Sequence, residues 1–230
     1  MISKGNILEI EKLKFNWEKK NSFNLNISKL VIKNNEKVVL LGESGSGKST
    51  LLNLISGIVS PNVGKILING VQITSLSAKK KDAFRNNNLG VIFQKFNIIH
   101  YLSPISNILL PCYFSSIKKN TIDFYKHRAI NLGKSLGIEK NILLQKNSRD
   151  LSAGQQQRVA IIRALINYPK IILADEPTSS LDKKNKNKFL KLLFKICKQE
   201  KTALLMVTHD NSITKYFDKT IILENIKSSL

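Results

Sequence analysis

The segment GESGSGKST, Gly42 to Thr50, constrains the fold of this chain more than any other. It fits the whole phosphate-binding loop pattern G-x-x-x-x-G-K-[ST]. The apolar run Val38–Leu41 precedes it and the apolar stretch Leu51–Ile55 follows it. Glycines let the backbone wrap closely around an anion, and the N–H groups of the turn and of the helix start can point at its oxygens. The segment therefore predicts a strand, a phosphate-binding turn and a helix in succession.

Two side chains of this loop are predicted to contact phosphate and a metal ion. Lys48 would reach the β- and γ-phosphates of a nucleotide, and the Ser49 hydroxyl would bind Mg²⁺. The nucleotide contacts predicted from the loop as a whole are Gly42, Glu43, Ser44, Gly45, Ser46, Gly47, Lys48, Ser49 and Thr50.

The size and composition of the chain fit one large α/β domain in a reducing compartment. Its 230 residues are 42% apolar, an ordinary fraction for a globular protein. Cys112 and Cys197 lie far apart and lack metal-ligand spacing, so two inert buried thiols are the simpler interpretation. No apolar run approaches the roughly 18 residues that span a bilayer, and Met1–Lys12 contains no apolar signal-peptide core. We therefore expect a cytoplasmic protein.

The formal net charge of +21 could indicate a nucleic-acid or membrane-surface partner. Lysine replaces arginine almost throughout, however, and asparagine and isoleucine are abundant, which indicates a compositional bias. The runs Lys79–Lys81 and Lys183–Lys191 lack the interleaved aromatic residues of a platform for stacking bases. We interpret them as solvated helix faces and expect no nucleic-acid partner, while some attraction to anionic lipid headgroups stays open.

The order of predicted elements indicates two kinds of sheet. Ile7–Trp17 and Phe23–Ile32 are predicted strands, and Asn69-Gly70 within Lys65–Ile73 is a strong hairpin signal, so a small antiparallel sheet is expected beside the core. Further apolar runs fit strands buried on both faces, and the helical stretches between most of them predict a parallel sheet. These runs are Val38–Leu41, Val91–Phe93, Ile171–Ala174, Leu204–Val207 and Ile221–Leu223.

The stretch from about Asn97 to Asp150 has a mostly helical pattern, clearest in Thr121–Leu136. In a later helix, Phe189, Leu193 and Ile196 form an apolar stripe that is expected to pack on the core. We therefore expect an α/β fold in a single domain over residues 1–230. An antiparallel β region would cover about 1–36 and 62–75, an inserted α-helical subdomain about 97–150, and the core the remainder.

A second predicted phosphate-binding element is the apolar run Ile171–Ala174, which leads directly into Asp175 and Glu176. Two carboxylates at the end of a buried strand are costly without a cation beside them. Mg²⁺ would supply that charge, with Asp175 holding the ion through a water, opposite Ser49. Glu176 would lie one step nearer the γ-phosphate and orient or deprotonate the attacking water, an assistance typically worth about 10²–10⁴-fold in rate.

Three further polar residues follow predicted strands or close a loop. Gln94 and His209 each come after an apolar strand candidate, and Asp182 closes the loop that begins at Pro177. Each is a weak signal alone, because a single glutamine or histidine is more often a satisfied surface or core residue. Their order along the chain and their position at strand ends make them candidates for the same site.

The sequence LSAGQQQRVAIIRAL, Leu151 to Leu165, contains a second predicted anion site. Ser152 lies where a helix would start, and a serine together with Gly154 at a helix N-terminus can bind an anion. A chain with one nucleotide loop does not obviously need two such sites, whereas a head-to-tail dimer does. In that homodimer the second site would cap the γ-phosphate bound by the partner subunit, and two chains would enclose two ATP molecules about a two-fold axis.

Together these motifs resemble those of the ATP-binding cassette (ABC) ATPases over nearly the whole chain. GESGSGKST resembles the Walker A loop, LSAGQ the family signature, IILADE the Walker B strand and Ser180–Asp182 the D-loop. Gln94 matches the Q-loop glutamine and His209 the switch histidine. The resemblance implies a P-loop NTPase (RecA-like) core that binds ATP and Mg²⁺ and hydrolyses ATP.

The resemblance also implies roles for individual residues. Trp17 occupies the place of the aromatic residue that stacks on adenine, with Phe15 a close competitor. The metal ligands implied are Ser49, Gln94 and Asp175, and the catalytic residues are Lys48, Gln94, Glu176 and His209. Nucleotide contacts implied outside the loop are Trp17, Ser152, Gly154 and Asp182. One departure is Ala153, where the family usually has glycine; we expect activity to survive the added methyl group.

The segment FQKFNIIHYLSPISNILLPC, Phe93 to Cys112, is similar to the Q-loop region of cassettes that drive lipoprotein release, macrolide export and the cell-division complex. The similarity implies an ATPase subunit, peripheral on the cytoplasmic face of the inner membrane, that energises an integral-membrane permease. Docking would use the region Gln94–Pro111, whose apolar and aromatic character suits a groove. Tyr101, Pro104 and Pro111 are expected to break the pattern of a plain core helix.

Two alternatives stay open at this point. A regulatory cassette of cell division would share every catalytic motif. A soluble cassette acting on nucleic acid or ribosomes is favoured by the charge, but ribosome-acting members usually carry two cassettes and chromosome-maintenance members insert a long coiled coil. No sustained heptads occur here. The sequence identifies neither the cargo nor the permease, nor whether the output is import, export or mechanical work.

Overall fold

The computed structural model describes residues 5–17, 24–114 and 121–226. The strands are β1 (Asn6–Asn16), β2 (Asn24–Lys33), β3 (Lys37–Leu41), β4 (Val63–Ile68), β5 (Val71–Gln72), β6 (Leu89–Ile92), β7 (Ile171–Asp175), β8 (Ala203–Thr208) and β9 (Lys219–Ile222). The helices are α1 (Lys48–Ile55), α2 (Ala78–Asn88), α3 (Pro104–Tyr113), α4 (Ile122–Leu136), α5 (Lys140–Leu144), α6 (Ala153–Leu165), α7 (Lys183–Glu200) and α8 (Leu223–Ile226).

Within these ranges, five strands form a central parallel sheet in the order β6-β7-β8-β3-β9. Every residue of β8 is buried, as expected for a strand covered on both faces. Alternate side chains of β7 enter opposite cores, Ile171 and Leu173 on one side and Ile172 and Ala174 on the other. The α/β fold with a parallel sheet that the sequence predicts is thereby confirmed.

The second sheet in the described part of the chain is antiparallel, in the order β2-β1-β4-β5. Asn69 (φ 49°) and Gly70 (φ 76°) form the turn between β4 and β5. Both lie in the left-handed region, which a type I′ hairpin turn requires at its two central residues. The predicted antiparallel sheet and its hairpin are therefore confirmed.

Predicted and observed strand ends differ by one or two residues in several places. Phe23, at the start of one predicted strand, lies outside the described residues, and β2 is described from Asn24. Phe93 lies beyond the end of β6 with 42% of its surface exposed. Leu223 begins α8 instead of ending β9, although it is fully buried. Apolar character continues past the last strand residue in both of these places, so hydropathy alone misplaces the boundary.

Apolar cores lie on both sides of the parallel sheet. One contains residues of α1 and of the antiparallel sheet, and the other contains residues of α3, α4, α6 and α7. The predicted stripe Phe189, Leu193 and Ile196 of α7 is buried in the second core. The sheet is thus fixed on both faces, which leaves the loops at the carboxyl ends of its strands to form a site.

Helices α3, α4 and α5 lie in the stretch predicted to be helical, and α4 coincides with the predicted helix. Pro104 begins α3, where its missing N–H has no helical partner to lose. The helix then continues through Pro111 to Tyr113. Both prolines are compatible with the helix, because one opens α3 and the other falls in its last turn, where it deprives a single carbonyl of a donor.

The thiols and the lysine runs agree with their interpretation from sequence. Burial raises the pKa of Cys112 to about 11 and of Cys197 to about 12, so both thiols stay protonated at neutral pH. The run Lys79–Lys81 lies on α2, a helix that buries no residue. Among the described helices, none combines the length and the apolar character that crossing a bilayer requires.

Candidate functional site

The loop Gly42–Ser49 follows β3 and leads into α1. The Gly42 N–H donates to the Thr208 carbonyl at 3.3 Å, which fixes the loop to the end of β8. Gly45 (φ 80°) and Gly47 (φ 107°) take left-handed conformations that side chains disfavour, so this turn needs glycine at both positions. Helix α1 begins within this loop, at Lys48, and the N–H groups of a helix start can bind an anion.

Lys48 lies inside this loop with 5% of its surface exposed. Its Nζ donates to the carbonyls of Gly42 at 2.8 Å and Glu43 at 2.7 Å. The same nitrogen lies 3.4 Å from Oε1 of Glu176. The ammonium is thus fixed between the glycine-rich turn and the end of β7, where it can attract phosphate.

Asp175, the last residue of β7, accepts a hydrogen bond from the Ser49 hydroxyl. Burial raises the pKa of Asp175 and the charge of Glu176 adds to this, although the Ser49 hydrogen bond and the Lys48 charge act in the opposite direction. A carboxylate whose pKa is raised by burial and by a like charge is short of positive charge. This place therefore favours a cation.

Glu176 follows β7 in a left-handed conformation with φ 42°. Its N–H donates to the Val207 carbonyl at 3.0 Å, which anchors it to β8. Its Oε2 lies 2.9 Å from Nδ1 of His209, while its Oε1 faces Lys48. The carboxylate is held from both sides, which suits a group that must keep one orientation.

Gln94 follows β6 by two residues, and its Nε2 donates to the Ser179 hydroxyl at 3.1 Å. Ser179 is a contact that the sequence did not reveal, because a serine in a polar loop carries no pattern of its own. Its position between Glu176 and Asp182 is the signal that could have suggested it.

A cavity of about 420 Å³ joins these parts, a volume in the range of small-molecule sites. It is lined by Trp17, Ser44, Gly45, Gly47, Lys48, Ser49, Thr50, Gln94, Asp175 and Glu176. Gly42 and Glu43, at the start of the loop, instead line a second cavity together with His209. A Cβ added at Gly42 would come within 2.6 Å of the Ser46 hydroxyl, so these two residues pack tightly in the turn.

The two aromatic candidates differ in position. Phe15 is buried with 6% of its surface exposed and belongs to the core under the antiparallel sheet. Trp17 is 39% exposed, lines the cavity and packs edge-on against Phe15, with ring centroids 4.9 Å apart. Of the two rings, the one that can receive a ligand is Trp17.

Three further predicted nucleotide contacts, at the starts of α6 and α7, do not line this cavity either, like Gly42, Glu43 and Ser46 of the loop. Ser152 caps α6: its hydroxyl accepts from the Gln155 N–H at 3.3 Å, and its own N–H donates to Gln155 Oε1 at 2.8 Å. Gly154 lies in the first turn of the same helix. Asp182 caps α7: its carboxylate accepts a hydrogen bond from the Asn185 N–H, and this bond lowers the pKa of the carboxyl. Ser152 and Asp182 are exposed, so both are available to a second molecule.

Comparison with known proteins identifies the family. The family model described as ABC transporter matches residues 25–179. The lipoprotein-releasing system ATP-binding protein LolD of Wigglesworthia glossinidia brevipalpis is 39% identical over 213 residues, which are 93% of this chain and 91% of that protein. The macrolide export ATP-binding/permease protein MacB of Bartonella henselae is 39% identical over 84% of this chain but 28% of its own length.

A similar solved structure is the dimeric, post-hydrolysis state of the ATP-binding cassette MJ0796 of Methanocaldococcus jannaschii, bound to ADP and phosphate. It is 31% identical, covers 97% of both chains and superposes with a TM-score of 0.78. The fold, the cavity and these relatives agree: this chain belongs to the ABC transporter family, as an ATP-hydrolysing subunit that energises a membrane permease.

Proposed function

We propose that this ATPase subunit serves a transporter of the lipoprotein-releasing type, on the cytoplasmic face of the inner membrane. The similarity to LolD over nearly the whole length of both proteins supports that choice over macrolide export. Two copies would close around two ATP molecules and open after hydrolysis. The dimeric relative bound to ADP and phosphate supports this arrangement.

One observation carries the proposal: predicted site residues that line the cavity are separated from those that cap α6 and α7. Ten predicted site residues, from the glycine-rich loop and from the ends of β6 and β7 among others, line one cavity. Ser152 and Asp182 lie outside it with their side chains exposed. A second copy would bring its Ser152 and Asp182 to the ATP in this cavity. The site is then complete only in the dimer, and closure depends on ATP.

Within such a site, the roles follow from the contacts. Lys48 would neutralise the β- and γ-phosphates from its fixed position in the loop. Glu176 would accept a proton as water attacks the γ-phosphorus and the bond to the ADP oxygen breaks. His209, at 2.9 Å, would keep the Glu176 carboxylate oriented, and Gln94 would contact the attacking water and the metal ion from the other side.

Mg²⁺ fits the residues at the end of β7. The Ser49 hydroxyl, the Asp175 carboxylate and the Gln94 amide all line the cavity, and oxygen ligands of these kinds suit Mg²⁺. The raised pKa of Asp175 also indicates a place that lacks positive charge. When bound, the ion would neutralise charge on the β- and γ-phosphate oxygens.

Trp17 is proposed as the adenine contact. It lines the cavity and presents more than a third of its surface, while Phe15 behind it supports the ring from the edge. Stacking on an aromatic ring would fix the base without a specific hydrogen bond.

The permease would dock on the segment that joins β6 to α3. This segment and α3 expose Phe93 at 42%, Tyr101 at 73% and Tyr113 at 63% of their surface. A small cavity of about 170 Å³ has Val91, Phe93 and Pro111 among its lining. Exposed aromatic residues are enriched at surfaces that bind a protein partner.

The catalytic assignment is tested by Glu176→Gln, which keeps the size of the side chain but removes its basicity. We expect steady-state ATP turnover to fall by about 10²–10⁴-fold, while ATP affinity stays near that of the wild type. Glu139→Gln, at an exposed position before α5, is the matched control and should keep wild-type turnover. Equal turnover in the Glu176 variant and the wild type would reject the role of Glu176.

The docking assignment is tested by co-purification with the permease subunits. Tyr101→Ser should weaken association by about tenfold or more, as expected for an aromatic anchor, and leave the turnover of the isolated subunit unchanged. Phe124→Ser changes another aromatic residue, 55% exposed but on α4, and should associate normally. Normal association of the Tyr101 variant with loss in the Phe124 variant would place the docking surface elsewhere.

A further inference from the structure

One arginine joins the loop after Gln94 to the helix that begins after Ser152. Arg163, in the last turn of α6, donates from Nη1 to the Asn97 carbonyl at 2.8 Å and from Nη2 to the Phe96 carbonyl. The planar guanidinium thereby contacts two successive backbone carbonyls at once. A lysine at this position could not reproduce that fork.

The two carbonyls belong to residues in an uncommon backbone conformation. Phe96 (φ 58°) and Asn97 (φ 46°) both lie in the left-handed region, which is unfavourable for residues other than glycine. The Phe96 ring is nevertheless buried, and its centroid lies 6.1 Å from that of Phe189. Such a conformation persists where surrounding contacts hold it, and the fork of Arg163 is one of those contacts.

Arg163 is half-buried, and this burial lowers the pKa of its guanidinium. Its hydrogen bonds within the described residues go to the two loop carbonyls. Arg128, on α4, contacts the same end of α6 by donating to the carbonyls of Leu165 and Ile166. Unlike Arg163, it also pairs with a carboxylate, that of Glu200. Arg163 thus directs its charge at the loop that leads away from Gln94.

Helix α6 connects this contact to the other subunit of the proposed dimer. Ser152 caps its start, and Arg163 lies about 16 Å further along its axis, at 1.5 Å per residue. In the dimer, Ser152 would contact the nucleotide of the partner subunit, whereas Gln94 lines the cavity of its own subunit. If contact with the nucleotide displaced the start of α6, the whole helix would move, and Arg163 would move with it.

We propose that Arg163 is a positioning residue that couples the two ATP sites. When Ser152 engages the nucleotide of the partner subunit, α6 moves, and the fork of Arg163 makes the loop after Gln94 move with it. Each ATP then helps to organise the other site, so hydrolysis depends on ATP concentration cooperatively. This inference rests on the proposed function, because it needs the ATP-bound dimer.

The test is the dependence of ATP turnover on ATP concentration in the full-length wild type and in Arg163→Met, Arg163→Lys and Arg128→Lys. For the wild type we expect a Hill coefficient above about 1, with a limit of about 2 for two sites. Arg163→Met should lower it to about 1 and reduce kcat by on the order of 10–10²-fold through misplacement of Gln94. ATP affinity under dilute, monomeric conditions should stay within about twofold, because the phosphate loop is untouched.

The two lysine variants distinguish loss of the Arg163 contact from loss of folding. Arg163→Lys keeps the charge and one donor, so its Hill coefficient and kcat should fall between those of Arg163→Met and the wild type. Arg128→Lys makes the same change in an arginine of α4 that contacts the end of α6 but not the loop after Gln94. It should keep the wild-type Hill coefficient.

Several results would overturn the inference while leaving the proposed function in place. These are a wild type that hydrolyses ATP without cooperativity, an Arg163→Lys variant equal to the wild type, a lowered kcat with an unchanged Hill coefficient, and an equal loss of cooperativity in the two lysine variants. A wild type that hydrolyses no ATP would instead reject the proposed function itself.

Discussion

At the scale of single residues, Glu176 is the most constrained group of the site. Its left-handed backbone, with φ 42°, costs of order 1–3 kcal/mol for a residue other than glycine. Its N–H is nevertheless fixed to Val207, and its two carboxylate oxygens face Lys48 and His209. The chain therefore keeps an unfavourable conformation that directs this carboxylate into the cavity.

The surroundings of Asp175 make ionisation of its carboxyl group unfavourable. Burial and the charge of Glu176 raise its pKa in the folded protein above the unfolded value. An acid with a raised pKa destabilises the fold at neutral pH, and the penalty disappears as the pH falls through the folded-state pKa, because the folded state then binds the proton more readily. The ionised carboxylate is therefore kept at the expense of stability.

We predict that Asp175→Asn raises the melting temperature at neutral pH and abolishes ATP hydrolysis. The amide has the same shape without the charge, so the gain over the wild type should shrink as the pH is lowered into the acid range where Asp175 takes up its proton. Differential scanning fluorimetry from neutral to acid pH measures both effects. A lower melting temperature for the variant at neutral pH would contradict this account.

Asp218 is a suitable control, because its pKa is lowered in the folded protein whereas that of Asp175 is raised. Burial alone would raise the pKa of Asp218, but hydrogen bonds from the Lys37 side chain and N–H lower it. Its ionised form therefore adds stability above the unfolded pKa, and that stability is lost as the pH falls through the folded value. Asp218→Asn should accordingly lower the melting temperature at neutral pH.

At the scale of elements, the close approach of α6 to β6 depends on Gly90. A Cβ at this position would lie 2.3 Å from the Ala164 carbonyl oxygen and 3.2 Å from Cγ1 of Ile172. The obstacle is backbone, which yields only if the helix moves off the sheet. Gly90 thus sets the spacing between the sheet edge and the helix that carries Ser152 and Arg163.

Gly90→Ala is predicted to destabilise the fold by about 1–3 kcal/mol, the usual cost of overpacking. Gly154→Ala is the matched control on α6, since its added Cβ would meet only Arg158 Nη1, at an ordinary 3.5 Å. That variant should unfold like the wild type in urea but weaken ATP-driven dimerisation, because Gly154 is itself a proposed phosphate contact. Equal unfolding midpoints for the two variants would contradict the close approach of α6 to β6 at Gly90.

Local patterns predicted most of the elements, and contacts distant in sequence account for the rest. The glycine-rich loop, the hairpin at Asn69-Gly70 and the strand before Asp175 each carry a signal within a few residues. Arg163 and Ser179 carry none, because their partners lie 67 and 85 residues away and only the fold brings them together. Pro111 lies inside α3 because helix position, not residue type alone, decides what a proline costs.

At the scale of the whole molecule, the sequence pattern LSAGQ predicted a second copy, since a chain with one nucleotide loop does not obviously need a second anion site at Ser152. The structure shows why in physical terms: Ser152 and Asp182 are exposed caps of α6 and α7, outside the cavity that Lys48 and Glu176 line. Cargo and permease could not be predicted, because they depend on surfaces of another protein.

The measurement that tests the central claim most directly is the mass of Glu176→Gln in solution, by sedimentation or light scattering, at saturating ATP with Mg²⁺. The subunit has a mass of 25.9 kDa, and we predict twice that value with ATP and the single value with ADP. Ser152→Arg in the same background, which places a bulky side chain at the second phosphate contact, should return the protein to one subunit. A mass of 25.9 kDa for the Glu176 variant saturated with ATP would contradict the account.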